Sequence, residues 1–264
     1  MSRKRQHGVF ESLGHSRSQI ATLARDYPAG HEVPAHFHDR DQLVYAVRGV
    51  MTVLTSDGTW VVPTYRAVWI PATTAHTIRM SGAVAMRTLY LKARLTRVLP
   101  RTCCVLNVSP LLKELILRAC TFETLDKRIR SQRHLIDIIV DNLTSIQTVP
   151  LQLSSPSDPR ALRIAEILLA APGDRRPLSR LCGFAGVSKR TAERLFQDQV
   201  GTTFGKWRQQ LRLMHAMRLL AEGAKVTHAA LEAGYSTPSS FIFTFRKSLG
   251  TTPTNYFLEP GARK

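Results

Sequence analysis

The chain has 264 residues, 44% of them hydrophobic, with a formal net charge of +18 and a sequence pI near 10.6. That length suits two domains, and no apolar run approaches the roughly 20 residues a membrane helix needs. The basic start MSRKRQHGVFESLGH leads into no apolar stretch of the signal-peptide kind, so the expectation is a soluble, cytoplasmic protein with no membrane partner.

A strongly basic chain usually meets a polyanion, most often nucleic acid. The excess is shared evenly, nine net positive charges in residues 1–150 and nine in 151–264, so charge alone does not say which half meets it. Cys103, Cys104, Cys120 and Cys182 show no CxxC spacing. Idle thiols in a reducing compartment are the expectation, with a Cys103–Cys104 redox pair as the alternative.

In chain order, residues 1–16 read as a flexible basic arm, with SRKRQH at 2–7. Residues 17–95 read as strands: SQIATLARDY, QLVYAVRG, MTVLTSDG, TWVVP, AVWIP, HTIRMSG and VAMRTLYLKA are short, rich in β-branched and aromatic residues, and separated by Gly, Pro and Asp. A small barrel or sandwich follows. Residues 105–148 change to helical spacing and predict two helices, 109–125 and 130–148, with Ser109-Pro110 as a start signal. The prolines and serines of 149–159 predict a linker, and residues 160–260 read as helical throughout.

Within that last region one pattern occurs twice. LSRLCGFAGVSKRTAERLFQDQVGTT and VTHAALEAGYSTPSSFIFTFRKSLGTT each carry a short apolar helix, Gly-x-Ser, and a second helix ending in Phe-x4-Gly-Thr-Thr, and Phe245 follows Phe196 by 49 positions. Glycine supplies the left-handed cap of a tight turn. Ser188 and Thr237 supply N-caps, the latter with Pro238 at the first helical position. This is a helix-turn-helix pattern, whose second helix enters the major groove. Between the copies runs TFGKWRQQLRLMHAMRLLAEG. A helix of about 20 residues spans about 30 Å, against about 34 Å for one DNA turn, which would set two recognition helices in successive major grooves.

Residues 160–258, and above all ALEAGYSTPSSFIFTFRKSLGTTPTNYF, resemble the DNA-binding domain of the AraC/XylS family of transcription regulators. The first copy departs from that pattern at Ala192 and at Cys182-Gly183, which points to a looser scaffold there. The resemblance implies a sequence-specific regulator that is not an enzyme. Its partners would be operator DNA, a small-molecule effector, a second copy of itself and RNA polymerase. It places Ser188, Lys189, Arg190, Glu193 and Arg194 of the first unit, and Thr237, Ser239, Ser240, Phe243, Arg246 and Lys247 of the second, at the DNA. Arg donates twice to a guanine edge and Glu accepts from cytosine. Phe243 offers only a thymine-methyl contact or packs inward, so direct readout by the second unit is expected to be weak.

The N-terminal half carries GHEVPAHFHDRDQLVYAVRG and PATTAH. Their spacing resembles the two cupin motifs, with Gln42, Thr73 and Met80 standing where those motifs have Glu, Gly and Asn. The implied fold class is α+β in two domains: a small cupin-type (RmlC-like) β-barrel with a following helix pair for dimerisation, then an all-α domain with two helix-turn-helix units joined by a long helix. His36, His38, Gln42, Tyr45, Trp69 and His76 are the candidate effector site, with Trp60, Arg87 and Tyr90 as further lining residues. His36, His38, Gln42 and His76 are also candidate ligands for a divalent transition metal, since imidazoles suit Zn, Cu, Fe or Ni. A metal-free site and a metal-dependent cupin enzyme with a DNA-binding appendage are the alternatives. Gln42, a weaker ligand than Glu, weighs against the enzyme.

Overall fold

The computed structural model describes residues 18–144, 148–149 and 152–257, so the arm expected at 1–16 lies outside the described residues. The chain divides into two compact units, one running to Gln152 and the other from Leu153 onward, residues 57–59 aside.

The first unit is built on strands β1 (Ile20–Tyr27), β2 (Glu32–His36), β3 (Asp41–Thr55), β4 (Gly58–Val62), β5 (Arg66–Ile70), β6 (His76–Leu91), β7 (Cys104–Asn107), β8 (Thr124–Leu125) and β9 (Thr148–Val149). Their order is β8-β1-β6-β3-β5-β7-β9, with β2 beside β6 and β4 beside β3. This path closes no ring among the described residues, so the expected barrel is an open, bent sheet. Pro34 sits in β2, which among the described residues pairs only with β6, the edge position proline tolerates.

Two elements differ from expectation in an instructive way. The glycines of VRGVM and MSGAV suggested strand ends, yet β3 and β6 run through them as single strands of 15 and 16 residues. Their pairing shifts register between Ala46 and Val50, and Gly49 and Gly82 hold φ of +82° and +69° there. A Cβ on Gly49 would lie 2.5 Å from the Ala83 carbonyl oxygen. The glycines therefore make bulges that bend a continuous ribbon rather than turns that end it.

Helices α1 (Pro110–Ala119) and α2 (Arg130–Thr144) are shorter than expected. Thr124–Leu125 pairs with Ile20 and Ala21 of β1 instead of continuing α1, and Thr148–Val149 pairs with β7 instead of continuing α2. Ser109 caps α1 by accepting from the Leu112 amide at 3.1 Å. Leu112, Ile116 and Ala119 of α1 join Ile136, Ile139 and Leu143 of α2 over the sheet residues Leu43, Tyr45, Trp69, Leu89 and Leu91. Each such aliphatic side chain contributes about 1.5–3 kcal/mol of burial free energy. Residues opposite each other in paired strands share a face, so Leu43 with Trp69 and Tyr45 with Ala67 belong to the helix-covered face.

The boundary between the units falls inside the expected linker, and segment 153–158 is anchored to the second unit. Leu153 is buried, Trp207 Nε1 donates to the Ser154 carbonyl at 2.9 Å, and the Ser157 and Asp158 amides donate to Gln199 Oε1 at 3.0 and 2.9 Å. Among the described residues the helices that follow are α3 (Pro159–Ala170), α4 (Leu178–Ala185), α5 (Lys189–Val200), α6 (Phe204–Ala221), α7 (Val226–Glu232), α8 (Pro238–Leu249) and α9 (Pro253–Phe257). Gly186, Gly201, Gly234 and Gly250 all have positive φ, as the repeated pattern required. Gly183 lies inside α4 and does not interrupt it.

Candidate functional site

The duplicated units supply the first site. Ser188 Oγ accepts from the Thr191 amide at 3.1 Å and Thr237 Oγ1 from the Ser240 amide at 3.2 Å, so both recognition helices, α5 and α8, start on a capped turn. On α5, Ala192, Leu195 and Phe196 are buried, which leaves Ser188, Lys189, Arg190, Glu193 and Arg194 exposed on the other side. Lys189 pairs with Glu193 at 3.8 Å and Arg194 with Asp198 at 3.6 Å, both one turn apart. Such exposed pairs are worth under about 1 kcal/mol. On α8, Phe241, Thr244, Phe245 and Leu249 are buried, while Thr237, Ser239, Phe243, Arg246 and Lys247 are exposed. Ser240 is half-buried, and its hydroxyl donates to the Thr237 carbonyl at 2.8 Å. Phe243 is 70% exposed, an unusual cost for a large apolar side chain with no packing role.

Helix α6 joins the two units through its buried side. The Phe196 ring stands 5.3 Å from Trp207 and 5.2 Å from Phe204, and Gln209 Nε2 donates to Thr244 Oγ1 of α8 at 3.2 Å. Its 18 residues are about 27 Å long. A second tie was not legible in the sequence. Arg212 donates to the Asp174 carbonyl at 2.8 Å, Arg208 to the same oxygen, and Arg175 to the Tyr235 carbonyl at 3.0 Å. Gly173 lies so near α7 that a Cβ there would sit 2.1 Å from the Glu232 carbonyl oxygen. The loop ahead of the first unit thereby grips the turn of the second. An invariable signal for this was lacking, because Gly173-Asp174 reads as an ordinary loop dipeptide.

The second site lies in the sheet unit. β2 and β6 pair with His36 opposite His76, and the loop after β2 brings in His38. The ring centroids are 4.3 Å apart for His36–His76, 5.3 Å for His38–His76 and 6.1 Å for His36–His38. One ring nitrogen from each lies within 4.8 Å of the others, a grouping that includes no carboxylate or thiolate. Backbone carbonyls orient all three rings through Nδ1: Pro34 for His36 at 2.8 Å, Arg40 for His38 at 2.6 Å and Thr74 for His76 at 2.8 Å. Nδ1 therefore carries the proton and Nε2 the lone pair. His38 Nε2 meets Gln42 Oε1 at 2.9 Å, and the Gln42 side chain also bonds the Tyr90 phenol. Burial drives the His76 pKa down to about 3, and His36 and His38 push it the same way. Burial lowers His36 as well and raises the Tyr90 phenol, which Gln42 partly opposes. Burial thus favours the neutral imidazole at His36 and His76.

Not every expected lining residue joins them. Gln42 stands opposite Tyr90 and Ile70, on the sheet face away from α1 and α2. Tyr45 and Trp69 alternate to the helix-covered face, where Trp69 Nε1 donates to the Pro100 carbonyl at 2.9 Å and burial raises the Tyr45 phenol to about 12. Arg87, opposite Tyr45, pairs with Asp26 at 2.9 Å. The structure therefore separates Tyr45, Trp69 and Arg87 from the histidines and leaves Tyr90 beside them, its ring 5.1 Å from His38. Thr88, two residues before Tyr90 on β6, shares its face and is buried. Cys104 and Cys120 have thiols raised by burial to about 11, which disfavours the thiolate that a redox pair needs.

Comparison with known proteins bears on both units of the chain. Residues 21–134 match the AraC-like ligand binding domain family, and residues 181–258 match a helix-turn-helix domain family. The chain belongs to the AraC-type transcription regulators, with an N-terminal ligand-binding domain and a helix-turn-helix DNA-binding domain. It is 33% identical to the HTH-type transcriptional regulator NimR of Escherichia coli over 223 residues, 84% of this chain and 81% of NimR. It is 32% identical to the regulator RipA of Corynebacterium glutamicum over 111 residues, 42% of this chain and 32% of RipA. Among solved structures, ToxT from Vibrio cholerae with a bound unsaturated fatty acid aligns over 92% of this chain and 95% of its own, at 12% identity and a TM-score of 0.38. No helix of the described residues is long and apolar enough to cross a membrane.

Proposed function

We propose that this regulator reads its operator chiefly through α5 and holds the DNA through α8. The observation that carries this reading is the exposed face of α5, where Arg190 and Arg194 stand clear of the core on a capped helix. A bidentate arginine–guanine contact discriminates bases. Ser188 and Lys189 meet phosphate, and Glu193 accepts from a cytosine edge. On α8, Arg246 and Lys247 hold phosphates, Thr237, Ser239 and Ser240 sit at the groove edge, and Phe243 touches a thymine methyl. The 27 Å length of α6 supports placing the two helices one DNA turn apart.

A small molecule bound near His36, His38, Gln42 and His76 is the signal. It acts by favouring one DNA-binding state over another, which requires different affinity for the two. The chain works in the cytoplasm as a homodimer joined through α1 and α2, whose Leu111 and Ile138 are exposed, and meets RNA polymerase at the promoter. It catalyses no reaction, a reading supported by relatives named as regulators.

Gel-shift titration on the neighbouring intergenic DNA, against random DNA at a stated salt concentration, tests this. Arg194→Ala should cost about 1–3 kcal/mol on the operator and little on random DNA. Equal losses on both would reduce α5 to a phosphate contact.

A further inference from the structure

The duplicated scaffold lets the two recognition helices be compared step by step. Ser188 and Thr237 cap them, Phe196 and Phe245 are buried, and Gly201 and Gly250 end them, each pair 49 positions apart. At that offset Ser239 stands where α5 has Arg190, and Phe243 stands where α5 has Arg194. A single exposed apolar side chain signals nothing by itself, but the place of Phe243 does. Phe241, Thr244, Phe245 and Leu249 are buried, and at 3.6 residues per turn Phe243, 70% exposed, points the opposite way. Side chains three and four apart are neighbours on a helix, so Ser239 lies one turn ahead of it and Arg246 and Lys247 one turn behind, all exposed. Helix α8 holds no acidic residue. Its outward face therefore suits a polyanion that presents an apolar group among polar ones. In the major groove that group is the 5-methyl of a pyrimidine, because the other edge groups that distinguish base pairs there are hydrogen-bond donors or acceptors.

We propose that Ser239 and Phe243 make α8 a reader of 5-methylpyrimidines: it accepts thymine and 5-methylcytosine alike and disfavours cytosine, so a cytosine at that step is bound well only once it is methylated. This rests on reading α8 as a groove helix, and it adds which chemical group the helix recognises. A phenyl ring packs on the methyl and is blind to what C4 carries, an acceptor oxygen in thymine or a donor amine in cytosine. The Ser239 hydroxyl both donates and accepts, so it meets either one. The pair therefore detects the methyl and not the identity of the base. Arg190 and Arg194 at the same steps of α5 do the reverse: guanidinium only donates, which ties it to the acceptor edge of guanine. Arg246 and Lys247, set against phosphates, hold α8 in register without reading sequence.

Full-length protein is titrated by gel shift against an operator duplex recovered by selection from random DNA, in which each thymine is replaced in turn by uracil, which lacks only the methyl. Replacement at the step facing α8 should lower the affinity about 3–10-fold. At that step cytosine paired with guanine should bind no better than uracil, and 5-methylcytosine should regain about the same 3–10-fold over cytosine. In Phe243→Ala both differences should fall below about twofold, and Phe243→Leu, which keeps an apolar side chain, should retain them in part. Any of three results overturns the proposal: no methyl-sensitive step, equal binding of cytosine and 5-methylcytosine at it, or methyl differences that survive in Phe243→Ala. Arg246→Ala on the same duplexes separates this from the reading beneath it. A general loss of affinity without any methyl difference leaves α8 on the DNA and refutes the methyl contact alone. Affinity unchanged in both Arg246→Ala and Phe243→Ala removes α8 from the groove, and both readings fall.

Discussion

The two helix-turn-helix units share a backbone and differ in what they present. Both turn on a glycine of positive φ, both start the second helix on a hydroxyl cap, and both bury a phenylalanine at the same step, Phe196 and Phe245. On α5 the outward positions hold Lys189, Arg190, Glu193 and Arg194. On α8 they hold Ser239, Phe243, Arg246 and Lys247. The scaffold is thus set by the inward residues and the readout by the outward ones. On α5 two arginines and a glutamate share the exposed face, whereas α8 sets a phenylalanine ahead of its Arg246–Lys247 pair.

That contrast can be broken, beginning with the largest effect. The double change Arg190→Ala with Arg194→Ala should cost about 2–6 kcal/mol on the operator if each removes one bidentate base contact. Arg246→Ala should weaken all sequences alike and flatten the salt dependence by about one phosphate. Gel shifts across a salt series measure both, and a sequence-selective loss from Arg246→Ala would erase the distinction. Next comes the grip between the units. Gly173→Ala forces a Cβ against the Glu232 carbonyl and should cost about 1–3 kcal/mol, read by thermal unfolding, with operator affinity falling alongside. An unaltered melt would show that the loop yields freely.

The caps should weigh equally, because the two units share their scaffold. Ser188→Ala and Thr237→Ala should each cost about 1 kcal/mol of stability, and a twofold disparity in denaturant midpoints would show one unit to be the weaker fold. The smallest effect has the opposite sign. Gly183 is an exposed helical position where a Cβ meets nothing within 4 Å, so Gly183→Ala should stabilise the first unit by about 0.5–1 kcal/mol. A loss there would mean that the glycine serves a contact outside the described residues.

The two domains were not equally legible. Every helix from α3 to α9 follows from caps, glycines and apolar spacing within a few residues of itself, and the departures at Ala192 and Gly183 left α4 and α5 intact. The sheet was harder. Its glycines punctuate the sequence like turns and act in the fold as bulges, and its closing strands, β8 and β9, sit in stretches with helical spacing. Tyr45 and Trp69 are aromatic residues among strands, and nothing local says which face they take.

By itself the sequence determined the helical domain and the chemistry available to it, because caps, turns and recognition faces depend on interactions between near neighbours along the chain. It also supplied three histidines with the spacing of a binding motif. Only the tertiary structure decided that His36 and His76, 40 positions apart, stand opposite each other with His38 and Gln42 beside them, and that Tyr45 and Trp69 turn away. Strand pairing and register are long-range, and a single bulge moves every later side chain to the other face.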